Sequence, residues 1–299
     1  MAARPVYMAK EKFPFFEMIE VDFEWNGGFA KTQKQKNIRA LHEGFRNRCP
    51  GKKVLEISSK SMQEYGEALS AFFLPKYVPE LGKSVPVECV FQSGKVFRNG
   101  GPYKDLMLVT PREAKKDERL KTSGPLVRFM FDGRDFPLVP KTFFYDYIYI
   151  NALFENEILA QAALQYDAFT DIEFNPNASI NCQAKAAAAF VSLSRMGLAE
   201  KVKDPDSFLF LYHGENTGGM VTPAFSNREH IAEHIPEKKF AQMAEPDIRP
   251  GTFVIHKKFG KGLVVKADAS SLVIRFPDVG EKELGRKWCL ANCGFEDTE

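Results

Sequence analysis

The chain has 299 residues, with 41 Lys or Arg and 39 Asp or Glu, which gives a formal net charge of +2. This balance argues against a polycationic arm or an acidic tail that acts through bulk charge. Hydrophobic residues make up 44% of the chain and include 27 Phe. That is enough for a sizeable core and excludes an intrinsically disordered chain.

The small net charge is a cancellation of segregated blocks. Residues 31–60 hold nine basic and two acidic residues, and residues 95–128 hold nine and four. Residues 142–184 hold six acidic residues and no Lys or Arg. The total therefore leaves room for a locally charged pocket that meets a phosphate or a nucleic-acid backbone.

Cellular location is indicated by what the sequence lacks. It has no run of 18 apolar residues and no long apolar stretch at the N-terminus, so we expect neither a membrane span nor a signal peptide. The five cysteines are scattered, and Cys289 and Cys293 have no neighbouring His to complete a zinc set. We interpret all five as reduced thiols and predict a cytoplasmic protein without metal or cofactor.

Hydrophobic spacing before residue 203 predicts an α+β domain in which helix dominates. In chain order, the predicted elements are a strand over 19–24, a helix over 33–48, strands over 54–58 and 127–131, and helices over 144–165 and 184–196. Gly197 follows the last helix as a predicted C-cap.

The C-terminal part of the chain differs in composition and in hydrophobic pattern. Residues 204–247 are rich in Pro and Gly and predict a linker with short helical pieces. Short β-branched runs over 252–256, 263–266 and 271–276 predict a small all-β barrel within 248–299. Residues 249–284, with their V-x-H-x-x-F-G-x-G frame, resemble the SH3- or Tudor-like module of UvrD-type helicases. That resemblance implies a docking module for a protein or nucleic acid and no chemistry.

The first candidate site is VPVECVFQSGKVF, residues 85–97. Read as one helix, it places Glu88, Gln92 and Lys95 on one face, where a carboxylate and an amine can address the same small ligand. Gly94 lies mid-helix, where it costs about 1 kcal/mol relative to Ala and so suggests a close approach of backbone or ligand. The alternative is an ordinary solvated face of an amphipathic helix.

The second candidate is TPREAKKDERL, residues 110–120. Thr110 and Glu113 have the spacing of a capping box at a helix N-terminus. Arg112 and Lys115 then lie in the first turns, where basic side chains and free N–H groups favour a phosphate. The alternative is an exposed, well-capped helix without a ligand.

The third candidate is a polar loop between two predicted helices, within residues 166–190. It carries Asp171, Glu173 and Asn181, among other acids and amides. Loops that carry such side chains are common ligand sites, although Asn and Asp also serve turns and helix caps.

Taken in order, these segments resemble the NADAR superfamily, which includes YbiA-type N-glycosidases. The closest likeness is to the branch that accompanies DarT-type toxins. The resemblance covers roughly the first 200 residues. Together with the change in residue pattern along the chain, it predicts a NADAR-like domain over 1–203, a linker over 204–247 and a small barrel over 248–299. The residues that carry it are LEISSKS (55–61), LSAFFL (69–74), VECVFQSGKVF (87–97), NGGPYKDLM (99–107), SGPLVRFMF (123–131), and YDAFTDIEFNP with INCQAK (166–185).

The resemblance implies roles for particular positions. Glu88 matches the catalytic carboxylate and Lys95 the lysine of the same segment. Arg112 and Lys115 match the helix that holds the phosphates of ADP-ribose, and Asp171 matches an acid near the ribose. We add Gln92 and Asn181 as predicted ADP-ribose contacts.

Two positions depart from the family pattern. Many relatives carry His after the glutamate, where this chain has Cys89. Many carry Trp-Gly after the late aspartate, where this chain continues with Ile172, Glu173 and Phe174. Stacking on a base would therefore come from Phe174 or from elsewhere.

The implied function is an ADP-ribosyl glycosidase that removes ADP-ribose from guanine bases in single-stranded DNA, as antitoxin to a DNA ADP-ribosyltransferase. Glu88 would stabilise an oxocarbenium ion or activate water, and Lys95 would act either as an acid or as an imine-forming nucleophile. Two alternatives stay open: a non-catalytic ADP-ribose or nucleotide-binding module, and an N-glycosidase of a riboflavin-type metabolite. Direct contact with the toxin is compatible with catalysis.

Overall fold

The computed structural model describes residues 1–28, 30–175, 182–213, 248, 252–256, 259–268, 270–277, 279–286, 289 and 294–296. The chain divides into two compact units, Met1–Thr222 and Pro223–Glu299. The domain limits drawn from sequence at residues 203 and 248 stay predictions. Among the described residues, no helix is long and apolar enough to cross a membrane.

The first unit mixes helices and strands, which confirms the α+β class. Its helices are α1 (Lys31–Arg48), α2 (Glu64–Ala68), α3 (Val87–Ser93), α4 (Pro111–Lys116), α5 (Arg119–Thr122), α6 (Phe143–Phe154), α7 (Glu157–Leu164), α8 (Gln183–Arg195), α9 (Ala199–Lys203) and α10 (Pro205–His213). Its strands are β1 (Ala2–Ala9), β2 (Phe16–Phe23), β3 (Val54–Glu56), β4 (Pro75–Val78), β5 (Lys83–Pro86), β6 (Lys95–Phe97), β7 (Leu126–Phe131), β8 (Arg134–Phe136) and β9 (Ala168–Thr170).

The largest sheet of this unit is mixed, with the strand order β2-β1-β9-β3. Strand β1 runs antiparallel to β2 and β9, whereas β3 runs parallel to β9. In that parallel pair Glu56 lies opposite Thr170. The end of β9 and the segment after β3 therefore leave the sheet side by side, and both lead into the site described below.

The predicted long helix over 144–165 is two helices, α6 and α7. The break falls at Asn156, whose side-chain amide donates to the carbonyls of Ala152 at 2.6 Å and Pro75 at 2.9 Å. The amide thus ties the end of α6 to strand β4. By contrast, α8 ends as predicted: Gly197 has φ +68°, and the Leu198 N–H donates to the Leu193 carbonyl.

The abundance of Phe is explained by an aromatic core beneath α3. The rings of Phe129 and Phe144 stack with centroids 4.7 Å apart, and Phe91 of α3 lies 5.6 Å from Phe129. All three side chains are buried. Rings of this kind hold α3 against α6 and β7 through large apolar contact areas.

In the second unit the described residues form a five-stranded antiparallel sheet in the order β13-β12-β11-β10-β14. The three predicted strands are present among them, and a specific SH3- or Tudor-like barrel stays a prediction. Most of the predicted linker lies outside the described residues. The strands are β10 (Phe253–His256), β11 (Gly260–Ala267), β12 (Ser271–Phe276), β13 (Gly280–Gly285) and β14 (Gly294–Glu296).

Candidate active site

Helix α3 is shorter than the sequence predicts. It ends at Ser93, Gly94 caps it, and Lys95 opens strand β6, so the predicted helix through residue 97 is wrong beyond Ser93. A Cβ on Gly94 would lie 2.7 Å from the Met130 carbonyl oxygen and 2.9 Å from the Phe144 ring. The expected close approach at this glycine is therefore a backbone-to-backbone contact with β7. This contact lies at the end of the helix, whose last residue, Ser93, precedes Lys95 by two positions.

Glu88, Gln92 and Lys95 nevertheless meet. The Lys95 Nζ donates to Gln92 Oε1 at 2.6 Å, and Gln92 Nε2 donates to Glu88 Oε1 at 2.8 Å. Gln92 thus links the amine to the carboxylate. Glu88 is only 6% exposed, and among the described residues nothing donates a hydrogen bond to its Oε2. One carboxylate oxygen is therefore held in place while the other keeps its capacity to meet a ligand.

The Lys95 amine lies in a setting that weakens its hold on a proton. Burial lowers its pKa to about 8, although the Glu88 carboxylate opposes the shift. The ammonium lies 4.7 Å from the centroid of the Phe91 ring. The amine is therefore mostly protonated at neutral pH and close to its titration point.

These groups line one cavity of about 1050 Å³ in the first unit. Five predicted site residues lie in its wall: Glu88, Gln92, Lys95, Lys115 and Asp171. The remaining lining residues are Ser58, Ser59, Ser70, Ala71, Phe72, Phe91, Leu120, Lys121, Leu126, Phe129, Leu138, Val139, Lys141, Tyr145, Glu173, Phe174, Asn175 and Gln183. Asn181 lies outside the described residues, so its predicted contact stays a prediction.

Helix α4 carries the predicted capping box. The Glu113 N–H donates to Thr110 Oγ1, and the Thr110 N–H donates to Glu113 Oε2. From this helix Lys115 reaches the cavity, where its Nζ lies 3.9 Å from Glu88 Oε1. Arg112 is exposed and is absent from the cavity wall. Its predicted contact with phosphate therefore finds no support in the position of its side chain.

Asp171 follows β9 and is held by three donors. Its Oδ1 accepts from the N–H groups of Glu173 and Phe174, and its Oδ2 accepts from Gln183 Nε2 at 2.9 Å. The Gln183 amide is itself oriented, since it also donates to the Ile57 carbonyl and accepts from the Ala71 N–H. Burial, together with the nearby Glu56 carboxylate, raises the pKa of Asp171 well above its ordinary value.

Two further lysines that sequence analysis did not single out complete the basic part of the wall. Lys121 comes from α5 and Lys141 from the segment before α6. In the described part of the chain neither forms a salt bridge, whereas Lys115 is shared with Glu88. Lys115, Lys121 and Lys141 are called the lysine rim below. Of the two added lysines, Lys121 was signalled by the local excess of basic residues over 95–128, and Lys141 had no signal in the sequence.

A family model described as DarT1-associated NADAR antitoxin matches residues 2–219. The chain belongs to this family. Every residue of the cavity wall falls within the matched span. Membership confirms the resemblance to the NADAR superfamily and indicates an antitoxin role with a DarT1-type toxin as cognate partner. A search of curated proteins gave no match. The likeness of the C-terminal segment to UvrD-type modules stays a prediction.

The first departure from the NADAR pattern, Cys89, can now be located. Cys89 is fully buried, donates its thiol to the Val109 carbonyl, and lies outside the cavity wall. Burial raises the pKa of this thiol to about 12, so it is protonated and inert at neutral pH. Cys89 therefore does not take over the position of a histidine in the site.

Aromatic side chains on the wall differ in how far they reach the cavity. Phe174 lies in the wall but is only 9% exposed. Phe72 is more accessible and has the Lys115 ammonium 5.5 Å from its ring centroid. Sequence analysis quoted Phe72 within LSAFFL without giving it a role. Its partly open ring makes it the stronger candidate for stacking on a base.

Proposed function

We propose that this protein is an ADP-ribosyl glycosidase that removes ADP-ribose from guanine bases in single-stranded DNA. In this way it reverses the modification made by its cognate toxin. The observation that carries the proposal is the Glu88–Gln92–Lys95 chain of hydrogen bonds on the wall of a cavity of about 1050 Å³. Membership in an antitoxin family agrees with it.

The Glu88 carboxylate fits a role beside the reaction centre, which is ribose C1. Cleavage of an N-glycosidic bond at ribose C1 develops positive charge on the sugar, and a nearby carboxylate stabilises it. Glu88 is almost excluded from water, which strengthens that interaction. Its Oε2 stands ready either for the sugar or for the attacking water.

The amine suits the leaving group. When the bond from C1 to the base nitrogen breaks, the electron pair goes to the base, and that nitrogen needs a proton. Lys95, with its pKa lowered to about 8 by burial, is mostly an ammonium at pH 7 and gives up a proton more readily than an exposed lysine. Water then adds to C1 and loses its proton to Glu88. The alternative, in which neutral Lys95 attacks C1 and forms an imine with the opened ribose, needs the minor form of the amine.

The rest of the cavity suits the remainder of ADP-ribose. The pyrophosphate carries negative charge, which the lysine rim would neutralise. Asp171 would form hydrogen bonds with ribose hydroxyls, and Phe72 would stack on a base. The cavity volume accommodates a ligand of nucleotide size.

The decisive experiment compares three substrates: single-stranded DNA with ADP-ribose on guanine, the thymidine-modified equivalent, and a riboflavin-pathway N-glycoside. Free ADP-ribose and the restored base are measured by mass spectrometry, with Glu88→Gln as the inactive control. We expect release from the guanine-linked DNA alone. Binding of ADP-ribose without release from either DNA would favour the binding module, and cleavage of the metabolite alone would favour the third function.

A further inference from the structure

Glu56 is a buried carboxylate behind the cavity wall. It ends strand β3, is 2% exposed, and lies opposite Thr170 in the parallel pair with β9. It is not part of the cavity wall, and the proposed reaction does not use it. A buried carboxylate costs folding free energy unless it is well paired, so the position calls for an explanation.

Both carboxylate oxygens of Glu56 are occupied. Its Oε1 lies 2.7 Å from the Ser58 hydroxyl and 2.9 Å from the Ile172 N–H, and its Oε2 lies 2.6 Å from the Thr170 hydroxyl. The chain of hydrogen bonds continues outward, because His42 Nε2 of α1 lies 2.8 Å from Thr170 Oγ1. Burial lowers the pKa of His42 to about 4, so the ring is neutral and fits a hydroxyl partner.

These partners frame a single residue. Thr170 and Ile172 are the two chain neighbours of Asp171, and Glu56 holds the side chain of one and the backbone N–H of the other. Asp171 itself faces the cavity. Glu56 thus holds both chain neighbours of Asp171 without lining the cavity.

We infer that Glu56 is a positioning residue that holds Asp171 in the orientation in which it meets the ligand. This inference rests on the proposed function for the nature of that ligand. The hydrogen bonds from Thr170 and Ile172 to Glu56, called the Glu56 clamp below, are a property of the fold. The two carboxylates lie close together, and burial raises the pKa of Glu56 as it does that of Asp171.

The test is a double-mutant cycle between Glu56→Gln and Asp171→Asn, with kcat and KM measured for ADP-ribose release. A misplaced contact group costs about tenfold or more in kcat/KM, and we expect that loss for Glu56→Gln in the parent protein. In the Asp171→Asn background the same change should cost less than about twofold, because the group being positioned is already gone. Equal losses in both backgrounds would overturn the inference and leave Glu56 a structural residue.

A matched pair of variants avoids the risk that Glu56→Gln does not fold. Thr170→Val keeps the shape and loses the hydroxyl, whereas Thr170→Ser keeps the hydroxyl. We expect the first to lose activity in the same direction as Glu56→Gln and the second to retain it. Asp146→Asn controls for general destabilisation, since this carboxylate is fully buried, lies 2.6 Å from the Lys185 amine, and is not in the cavity wall.

Amide hydrogen exchange separates failure of this inference from failure of the proposed function, because it needs no substrate. In Glu56→Gln we expect faster exchange at the amides of Ile172, Glu173 and Phe174, and parent rates there in Asp146→Asn. If the parent protein released no ADP-ribose but Glu56→Gln still exchanged faster at these amides, the proposed function would be wrong and the Glu56 clamp would be supported. Unchanged exchange at these amides would overturn the clamp.

Discussion

The cavity has two walls that differ in how their charged groups are paired. On the α3 wall, formed by Glu88, Gln92 and Lys95, opposite charges are linked by one amide, and one carboxylate oxygen stays open. On the β9 wall, formed by Asp171 and Gln183 with Glu56 behind them, two carboxyl groups lie together, burial raises the pKa of each, and donors occupy their oxygens.

This difference separates chemistry from positioning. A group that exchanges a proton with the substrate needs an open atom, and the α3 wall provides one at Glu88 Oε2, beside the Lys95 amine whose pKa burial lowers to about 8. A group that must hold a substrate needs a fixed orientation, which the β9 wall provides through hydrogen bonds to the backbone. The predictions below test that division, from the largest expected effect to the smallest.

The strongest test exchanges one carboxylate on each wall for its amide. Glu88→Gln should lower kcat by about 10³-fold, because it removes the charge that stabilises the sugar cation in a water-poor site. Asp171→Asn should mainly raise KM, by about tenfold, because it weakens a ligand contact. Steady-state kinetics on guanine-modified DNA measure both. Full activity in Glu88→Gln, or an equal loss of kcat in the two variants, would break the comparison.

The α3 wall should also impose a pH dependence. If Lys95 acts as the acid, kcat falls about tenfold per pH unit above pH 8, because only the ammonium carries the proton. If neutral Lys95 attacks C1, kcat instead rises up to that pH. We expect the fall, and its absence in Lys95→Met.

Unfolding of the protein is not expected to cause the fall in kcat above pH 8. The pKa of Lys95 is near 8 in the folded protein against 10.5 for an ordinary lysine, so the unfolded chain binds more protons between these values. This group therefore makes the folded state more stable as the pH rises through that range. Thermal unfolding measured at each pH supplies the control.

Neighbouring phenylalanines offer a matched pair for the base-stacking role. Phe72 lies in the cavity wall, whereas Phe73 is 48% exposed and is not among the lining residues. Phe72→Ala should raise KM about tenfold, in line with the loss of one stacked base, and Phe73→Ala should change it less than about twofold. Equal effects would show that stacking occurs elsewhere, with Phe174 as the next candidate.

The smallest effects are expected at the lysine rim. Lys121→Ala and Lys141→Ala should each raise KM about threefold, and the effect should shrink in high salt, because an exposed lysine contributes modestly to phosphate binding. Arg112→Ala should change KM less than either, since its side chain lies outside the wall. A larger loss for Arg112 than for Lys121 would restore the prediction made from the family pattern.

Features that depend on neighbours in sequence were predictable. The capping box at Thr110 and the C-cap at Gly197 follow from local hydrogen bonding and from the left-handed conformation that glycine tolerates. Helix α1 followed from its apolar spacing, although it starts two residues earlier than predicted. The cluster of Glu88, Gln92 and Lys95 was also foreseen, although the common helical face that predicted it joins only Glu88 and Gln92, since Lys95 lies in β6.

Features that depend on partners far apart in the sequence were not predictable. Strand β1 was missed because AARPVYMA has no regular alternation and contains Pro5, and its pairing with β2 and β9 decides its structure. Glu56 lies in a short apolar run, and its partners Thr170 and Ile172 are 114 and 116 positions away. Periodicity carries no information about such contacts.

Gly94 has a consequence for how the site tolerates change. It offers no functional group, yet the Met130 N–H donates to its carbonyl at 2.7 Å, and a single added methyl group would press on the Met130 carbonyl oxygen and the Phe144 ring. The spacing between Glu88 and Lys95 is therefore set by how closely two backbones approach, with Gln92 spanning the gap that results. In a saturation mutagenesis experiment this position should be as intolerant as the carboxylate itself. Intolerance there would reflect the distance that Gly94 sets between Glu88 and Lys95, since glycine takes no part in the chemistry.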